Sequence, residues 1–440
     1  MNGMDNYNGN EFHYIASGTA HLYLSNLKPT SEQNKETIFW IQNLFEGMCK
    51  HPAHKFGLLY NAFTESRFGS LYRECYGDVL CDIHADSGGL QMVTVNKTAD
   101  EETKEKIYAN QCANSSVAMS FDEIPVQRIQ GGTAKAGMAS DKLFDRSLLV
   151  ERARQSGKNL RRQLEYFAEH GNGRARPMMI AQGNDLETYN IWCENVQAQI
   201  PDDLIDDIAG VAVATSTLGG GDLENIESAW IAQQLPLRFK SHQIHYLGIG
   251  SFVRLLPSLV FARSGVYKDL TISYDSTSHT GGISRGQLYE KSPRGRWEYT
   301  RVPNTHYVPE LYTRLMERLV QYNIGFNDPE KVYDYFIKSN SFGRLEEQGR
   351  ESEAPYINKM RVALFRFSYD NFIRQVDMFM RTSAPLQMVD KDLQMPIKCL
   401  QDVRTQADFD HWYREIGYRL NSERVQPKTA KISLLGNAYA

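Results

Sequence analysis

The chain has 440 residues, of which 41% are hydrophobic and 23% are charged, and its formal net charge is -4. This composition is typical of a globular protein and excludes collagen-like, coiled-coil and largely disordered chains. The net charge gives no overall attraction to nucleic acid, so any nucleic-acid binding has to use a local basic surface.

The first 30 residues show no clear pattern, and apolar residues at helical spacing then predict a helix over residues 36–50. Further along, short apolar runs predict strands, and amphipathic stretches between them predict helices. The predicted strands cover residues 56–63, 79–85, 116–121, 176–181, 208–214, 242–248 and 270–274, and the later helices cover residues 141–170, 184–200, 222–235 and 251–264.

Apolar strands that alternate with helices predict a parallel sheet covered on both faces. Seven such strands favour an α/β fold of the (β/α)8 TIM barrel type, although the periodicity is also compatible with an open doubly wound sheet. The pattern does not locate the eighth strand.

Beyond residue 280 the strand and helix alternation stops. Residues 281–305 are rich in Gly, Ser, Arg and Pro and predict a long loop or insertion after the seventh strand motif. Residues 309–322 and the later apolar segments predict helices. We therefore expect a barrel catalytic domain with an N-terminal lead-in over residues 1–325 and a mainly helical C-terminal extension over residues 326–440.

The six cysteines are scattered without a disulfide framework, which favours a reducing compartment. Residues 1–10 are polar and lack the apolar core of a signal peptide, and no apolar run is long enough to cross a bilayer. We expect a cytoplasmic protein.

Polar side chains follow several of the predicted strands directly. In a barrel these strand ends meet at one mouth, where catalysis takes place. Paired carboxylates serve glycosyl transfer as nucleophile and proton shuttle, whereas a single strand-end acid is equally compatible with helix capping or structural water. The strand-end residues are Asp86, Asp122, Gln182, Thr215, Ser216 and Asp275.

Five short motifs contain these residues: Asp86-Ser87-Gly88-Gly89-Leu90-Gln91, Phe121-Asp122-Glu123, Gln182-Gly183, His245-Tyr246-Leu247-Gly248-Ile249-Gly250 and Tyr274-Asp275. In order and spacing they resemble the motifs of the tRNA-guanine transglycosylases, which are (β/α)8 barrels. Each motif is weak alone, and the combination over residues 75–290 is specific.

The resemblance implies a role for each residue. Asp275 would be the nucleophile that attacks C1′ of the nucleotide, and Asp86 would move protons to and from the exchanged bases. The other implied base-binding residues are Ser87, Asp122, Gln182, Thr215, Ser216, Leu247 and Gly248.

The chain also departs from the family pattern. Ala214-Thr215-Ser216 stands where the family has Gly-Gly, and Thr277-Ser278-His279 replaces Pro-Thr-Arg. The zinc ligands of the family are missing, because Cys399 is the only cysteine beyond Cys193. We expect no cofactor and no zinc of the family type.

Three further features each have two interpretations. Cys49, His51 and His54 could form a metal cluster, but their spacing matches no standard zinc pattern and favours a surface turn. His84 shares a strand face with Asp86 and either orients it or packs inside the barrel. The glycine run at residues 219–221 either cradles a phosphate or forms a flexible turn.

Two basic segments could hold nucleic acid. The segment over residues 146–162 is equally compatible with a solvated helix face. The insertion combines arginines with aromatic residues, a pattern suited to backbone contact and base stacking. His279, close to the nucleophile, would contact a phosphate or the leaving group unless it is a solvated loop residue. The expected nucleic-acid contacts are Arg285, Arg294, Arg296, Trp297 and His279.

The missing zinc ligands and the C-terminal segment make the chain most similar to the DpdA family, the DNA 7-deazaguanine transglycosylases. This resemblance implies exchange of guanine in DNA for a 7-deazaguanine such as preQ0, with DNA and the free base as substrates, in a bacterial or phage-infected cell. The alternatives are a divergent tRNA enzyme and a non-catalytic transglycosylase-like subunit. The inserted base, the DNA sequence and the oligomeric state are left open.

Overall fold

The computed structural model describes residues 5–22, 24, 27, 30–89, 99–126, 144–213, 225–302, 306–325, 327–340 and 353–417. In this part of the chain, eight parallel strands close into a barrel in chain order and two further strands form an antiparallel pair. The predicted TIM barrel is therefore confirmed. The strands are β1 (Glu11–Ala16), β2 (His54–Asn61), β3 (Ile83–Asp86), β4 (Val117–Met119), β5 (Arg176–Ala181), β6 (Val211–Val213), β7 (Gln243–Tyr246), β8 (Thr271–Ser276), β9 (Gln287–Lys291) and β10 (Trp297–Arg301).

Helices follow most of the barrel strands and continue beyond them. Within the described residues the helices are α1 (Glu32–Cys49), α2 (Ser66–Tyr76), α3 (Glu101–Asn114), α4 (Leu149–His170), α5 (Leu186–Gln197), α6 (Asp202–Ile205), α7 (Asn225–Ile231), α8 (Phe252–Ser264), α9 (Ser278–Ser284), α10 (Pro309–Leu319), α11 (Pro329–Asn340), α12 (Ala354–Arg381), α13 (Lys391–Leu400) and α14 (Gln406–Trp412). None of them is long and apolar enough to cross a membrane.

The strand that the sequence pattern missed is β1. It pairs in parallel with β2 on one side and with β8 on the other, which closes the barrel. Phe12 and Tyr14 are fully buried, whereas on the other face His13 contacts both Glu11 and Asp82. Because Glu11 and His13 interrupt the apolar residues of β1, the strand has no long continuous apolar run, so periodicity did not reveal it.

The segment predicted as a long loop contains regular structure. α9 extends to Ser284, and β9 and β10 then form a hairpin in which Tyr289 is paired with Tyr299. Leu288 and Tyr289 are both buried. Residues 281–302 are therefore an ordered insertion, stabilised by packing that its Gly- and Arg-rich composition does not indicate.

The long helix α12 belongs to the outer layer of the barrel. It packs against α1, which follows β1, and against α8, which follows β7. Its Phe365, Tyr369 and Phe372 surround Tyr14 of β1, with ring centroids 5.5 to 6.4 Å away. α12 thus covers the seam between β8 and β1, the place of an eighth outer helix. The domain boundary between residues 325 and 326 remains a prediction.

The packing of α12 predicts a large effect of a single truncation. Phe372 is 1% exposed and contacts Tyr14, Tyr274 and His279. We expect Phe372→Ala to lower the free energy of unfolding by about 3 to 5 kcal/mol, because it leaves a cavity at the seam. Urea unfolding would measure this loss.

The matched control is Phe39→Ala on α1, where the side chain is 64% exposed. That change is expected to stay within about 0.5 kcal/mol of the unmodified protein. Equal effects of the two substitutions would contradict the role of α12 as the barrel's outer helix.

Candidate active site

The polar residues at the strand ends meet at one end of the barrel. Asp86 ends β3, Asp275 lies near the end of β8, and Asp122 and Gln182 follow β4 and β5. Burial is the main cause of the raised pKa of Asp86 and of Asp122; the negative charge of Asp275 adds to the first shift and that of Asp86 to the second. Gln182 is hydrogen-bonded to Asp122. The structure therefore brings these four predicted residues into one interacting group.

Asp275 is held as a carboxylate. The backbone N–H of Gly248 donates to its Oδ1 at 2.6 Å, and Nε2 of His245 lies 3.5 Å from the same oxygen. Burial by itself would raise the pKa of Asp275, but His245, the Gly248 N–H and the Ser17 hydroxyl together lower it below its ordinary value. Asp275 is therefore ionised at neutral pH and suited to nucleophilic attack.

His245 is fixed in place behind this carboxylate. Its ring is fully buried in the barrel, and its Nδ1 lies 2.9 Å from the hydroxyl of Ser273 on the adjacent strand. Gly248 has a positive φ of 75°, a conformation that glycine adopts without strain and that aims its N–H at Asp275. β7 and the turn after it thus position two groups against Asp275.

Asp86 has the opposite electrostatic environment. Burial, with the charge of Asp275 as a smaller cause, raises its pKa to about 6, although N–H groups of Gly88, Ser87 and Asn61 oppose the rise. Nδ2 of Asn61, the paired residue on β2, donates to Oδ2 of Asp86 at 3.0 Å. A carboxyl group with this pKa can both give and accept a proton near neutral pH.

Asp122 and Gln182 form a buried polar pair beside Asp86. Nε2 of Gln182 donates to Oδ2 of Asp122 at 2.6 Å, and Oε1 of Gln182 has no hydrogen-bond partner among the described residues. Burial raises the pKa of Asp122 to about 7, and the Gln182 hydrogen bond lowers it in part. The pair offers hydrogen-bonding atoms to a polar ligand.

The two glycines after Asp86 bring the backbone against this pair. Gly88 has a φ of 82°, which favours glycine, and Ser87 is buried with its hydroxyl 3.4 Å from the N–H of Gly89. A Cβ on Gly89 would lie only 3.0 Å from Oδ1 of Asp122. The small residues therefore let the loop after Asp86 pack closely against Asp122.

This set of residues receives no family assignment from known proteins. No protein-family model matches the chain, and no curated protein matches it. The resemblance to the transglycosylases rests on the motifs quoted above, so the chemistry has to be inferred from the contacts of the site.

The remaining predicted base-binding residues are placed in part. Leu247 follows β7 and packs against the apolar cluster formed by residues such as Met119 and Ile180. Thr215 and Ser216 lie outside the described residues, as do Leu90, Gln91 and the glycine run at residues 219–221.

His279 is not on the surface, which corrects the expectation that it contacts nucleic acid. It is 1% exposed, its Nδ1 lies 2.6 Å from the hydroxyl of Tyr299, and its ring stacks on Tyr14. Burial lowers its pKa to about 3, so it is neutral. Residues 278–284 form a helix, and this helix turns His279 towards the core.

The arginines in and next to the hairpin are exposed to solvent, whereas its aromatic rings are buried or partly buried. Arg285, Arg294 and Arg296 are exposed. Trp297 is partly buried and stacks on Tyr289, which is itself 7% exposed and hydrogen-bonded to Gln375. The arginines therefore remain available for phosphate contacts, whereas Tyr289 and Tyr299 serve the core.

The basic helix α4 is largely paired with acids. Arg161 bonds to Glu165 at 2.7 Å and Arg162 to Glu105 at 2.6 Å, and the preceding Arg146 bonds to Glu187. These ion pairs favour the solvated-face interpretation of residues 146–162 over a nucleic-acid groove.

Two supporting residues were not assigned a role from the sequence. Asn61 is the last residue of β2, but it lies inside the strand predicted over residues 56–63, so the strand-end rule did not identify it. His245 shares a strand face with Leu247 through two-residue alternation.

His84 contacts His245 at a ring distance of 4.9 Å and Asp82 at 3.8 Å, which favours barrel packing.

Cys49, His51 and His54 do not form the metal cluster that the sequence suggested as one interpretation. His51 and His54 approach Asp377 of α12, and the Tyr7 hydroxyl donates to that carboxylate at 2.8 Å. Arg381 also bonds to Asp377, at 2.6 Å. A cation already neutralises this acid, so the group is better described as a structural hydrogen-bond network.

Proposed function

We propose that the protein is a DNA guanine transglycosylase that exchanges guanine in DNA for a 7-deazaguanine base such as preQ0. The observation that carries the proposal is the opposite shift of two neighbouring carboxyl pKa values. The pKa of Asp275 is lowered, whereas that of Asp86 is raised to about 6. Carboxyl groups separated in this way divide the roles of nucleophile and proton shuttle.

The exchange proceeds in two displacements at C1′ of the deoxyribose. In the first, an oxygen of Asp275 bonds to C1′ while the bond from C1′ to N9 breaks, and protonated Asp86 gives its proton to the departing guanine. In the second, N9 of the incoming base bonds to C1′, the ester to Asp275 breaks, and Asp86 takes the N9 proton. Both carboxyl groups return to their starting states.

The buried pair of Asp122 and Gln182 supports a base with the polar edge of guanine. The Asp122 carboxylate would accept from the ring N–H and the exocyclic amine, and the amide of Gln182 would donate to the carbonyl group. A base that lacks these groups leaves buried polar atoms unpaired, at a cost sufficient for strong discrimination. A 7-deazaguanine keeps this edge, so both exchange partners fit.

The choice of DNA rests on the resemblance to the DpdA family and on the missing zinc ligands. In a duplex the target guanine has to leave the base stack, which costs a few kcal/mol. Three exposed arginines are cations that could neutralise backbone phosphates: Arg285 just before the hairpin, and Arg294 and Arg296 in its turn.

The proposal is tested by incorporation of labelled guanine or preQ0 into duplex DNA, single-stranded DNA and tRNA under the same conditions. We expect incorporation into DNA. Incorporation into tRNA alone would instead identify a divergent tRNA enzyme. No incorporation and no covalent adduct with any of the three would favour a non-catalytic subunit.

The role of His245 gives a separate prediction about pH. In His245→Asn, the shorter side chain loses its contact with Asp275, so the pKa of Asp275 rises towards its ordinary value. Because attack needs the ionised form, we expect the acid limb of the rate of adduct formation to move to higher pH. A pH series of single-turnover rates measures this shift.

His242→Asn is the matched control, since His242 lies on the surface just before β7. Its acid limb is expected to coincide with that of the unmodified protein. An unchanged limb in His245→Asn would show that His245 does not tune the nucleophile.

A further inference from the structure

A second cluster of reactive side chains lies at the end of the barrel opposite the active site. His13 comes from the first half of β1, and Cys81 and Asp82 precede β3. The N–H of Cys81 donates to the carbonyl of Phe56 at 3.0 Å. The thiol of Cys49, the last residue of α1, donates to the same carbonyl at 3.4 Å. Two cysteines that are distant in sequence thus donate hydrogen bonds to the same backbone oxygen.

Three of these side chains have the spacing of ligands around one metal ion. The ligand atoms of His13, Cys81 and Asp82 all lie within 4.8 Å of one another. Sγ of Cys81 is 3.7 Å from Nδ1 of His13 and 3.9 Å from Oδ2 of Asp82. With zinc bond lengths of about 2.0 to 2.3 Å, a tetrahedral site has ligand separations of roughly 3.3 to 3.8 Å.

The third separation is shorter, as expected for ligands that bond to each other without an ion. Nδ1 of His13 lies 2.7 Å from Oδ2 of Asp82. Opening this hydrogen bond by roughly half an ångström would place both atoms at tetrahedral spacing. The adjustment is small for two side chains at the edge of a barrel.

Residues around the cluster form hydrogen bonds to its ligand side chains. In metal sites, such bonds fix the orientation of the ligands. Oε2 of Glu11 lies 3.2 Å from Nε2 of His13, which leaves Nδ1 of that ring for a metal. The hydroxyl of Ser116 donates to Oδ1 of Asp82 at 3.1 Å, so Oδ2 is the oxygen that faces His13 and Cys81. A carboxylate behind a ligating histidine is a recurrent feature of zinc sites.

Cys49 lies beside this group, but it is outside the set of ligand atoms that are all within 4.8 Å of one another, so its side chain has to move in to become the fourth ligand when an ion binds. Its thiol is in hydrogen-bond contact with that of Cys81, so the two sulfur atoms are already neighbours. Cys49, Cys81 and Asp82 are each partly exposed, which leaves a path for an ion. Two thiolates, an imidazole and a carboxylate form a donor set that suits zinc better than calcium or magnesium.

We propose that Cys49, Cys81, His13 and Asp82 form a structural zinc site that joins the end of α1 to β1 and the start of β3. Its ligands come from the N-terminal part of the barrel, so the site is unrelated to the family zinc that the chain lacks. Four protein ligands leave no open position for a substrate, and the site therefore serves stability. It does not depend on the proposed base exchange.

The test is metal binding by the full-length reduced protein. We expect one equivalent of Zn²⁺ after dialysis, and a thiolate-to-metal absorption band when Co²⁺ is added instead. Glu11→Gln should weaken Zn²⁺ binding about 10- to 100-fold, and Cys81→Ser should weaken it further. Cys399→Ser, which removes a partly exposed thiol on α13, is the matched control and should bind as the unmodified protein does.

Two outcomes would overturn the site. They are the absence of stoichiometric Zn²⁺ from the unmodified protein and equal binding by all variants. Glu11 has a side chain that is 47% exposed, so Glu11→Gln tests the site without a risk to folding. The exchange assay is not needed for any of these measurements.

Discussion

Asp275→Asn is expected to lower base exchange by about 10⁴-fold or more and to remove the covalent adduct with the nucleic acid. The amide is a poor nucleophile, but its oxygen can still accept from the N–H of Gly248, now 2.6 Å from the carboxylate. The substitution therefore removes the chemistry while it keeps the local hydrogen bond. Denaturing electrophoresis of the protein with labelled DNA detects the adduct directly.

Asp203→Asn provides the matched control for this experiment. Asp203 is an exposed acid on α6, and its replacement should leave both exchange and adduct unchanged. If Asp275→Asn still formed the adduct and Asp86→Asn did not, the roles of the two acids would have to be exchanged.

Asp122→Asn is expected to stabilise the protein at pH 8 while it abolishes base binding. Burial raises the pKa of Asp122 to about 7, so the folded protein binds a proton that the unfolded chain releases near pH 4. The contribution of Asp122 to the free energy of unfolding therefore falls as pH rises from about 4 to 7, by up to roughly 4 kcal/mol. Asparagine, which is neutral and can still accept from Gln182, avoids the loss.

Urea unfolding at pH 5, 7 and 8 would measure this effect. The gain from Asp122→Asn should be about 2 to 4 kcal/mol at pH 8 and should shrink towards pH 5. Asp203→Asn is the control and should change stability little at any of these pH values. A stability loss that does not depend on pH would show that the carboxylate is satisfied in the folded state. Such a gain is expected where function requires an unfavourable buried charge.

Strands that are buried on both faces were predictable, because they form continuous apolar runs in the sequence. β5 is an example, because its run from Pro177 to Ala181 is buried throughout. β1 escaped prediction because Glu11 and His13 interrupt its apolar residues, and His13 bonds to both Glu11 and Asp82 rather than packing in apolar surroundings. The hairpin escaped because its stability comes from distant residues, including Ser368 and Gln375 of α12.

The candidate site was predictable where a residue ends a strand, because the barrel brings all strand ends to one mouth. Asp86, Asp122, Gln182 and Asp275 follow this rule. The direction of a loop side chain has no comparable rule. His279 lies only four residues beyond Asp275, yet one helical turn directs it into the core. The sequence also did not predict that Cys81 lies next to His13, because this contact depends on the register between β1 and β2 and on the bond from Cys81 to Phe56.

The return of α12 to the seam between β8 and β1 has a consequence for biosynthesis. β1 is made first, but the helix that covers it emerges only after more than 300 further residues, which takes on the order of tens of seconds at typical translation rates. During that interval the outer face of Phe12 and Tyr14 has no cover from α12. We expect nascent chains that end before residue 354 to be retained by chaperones, and chains that extend past residue 381 to be released.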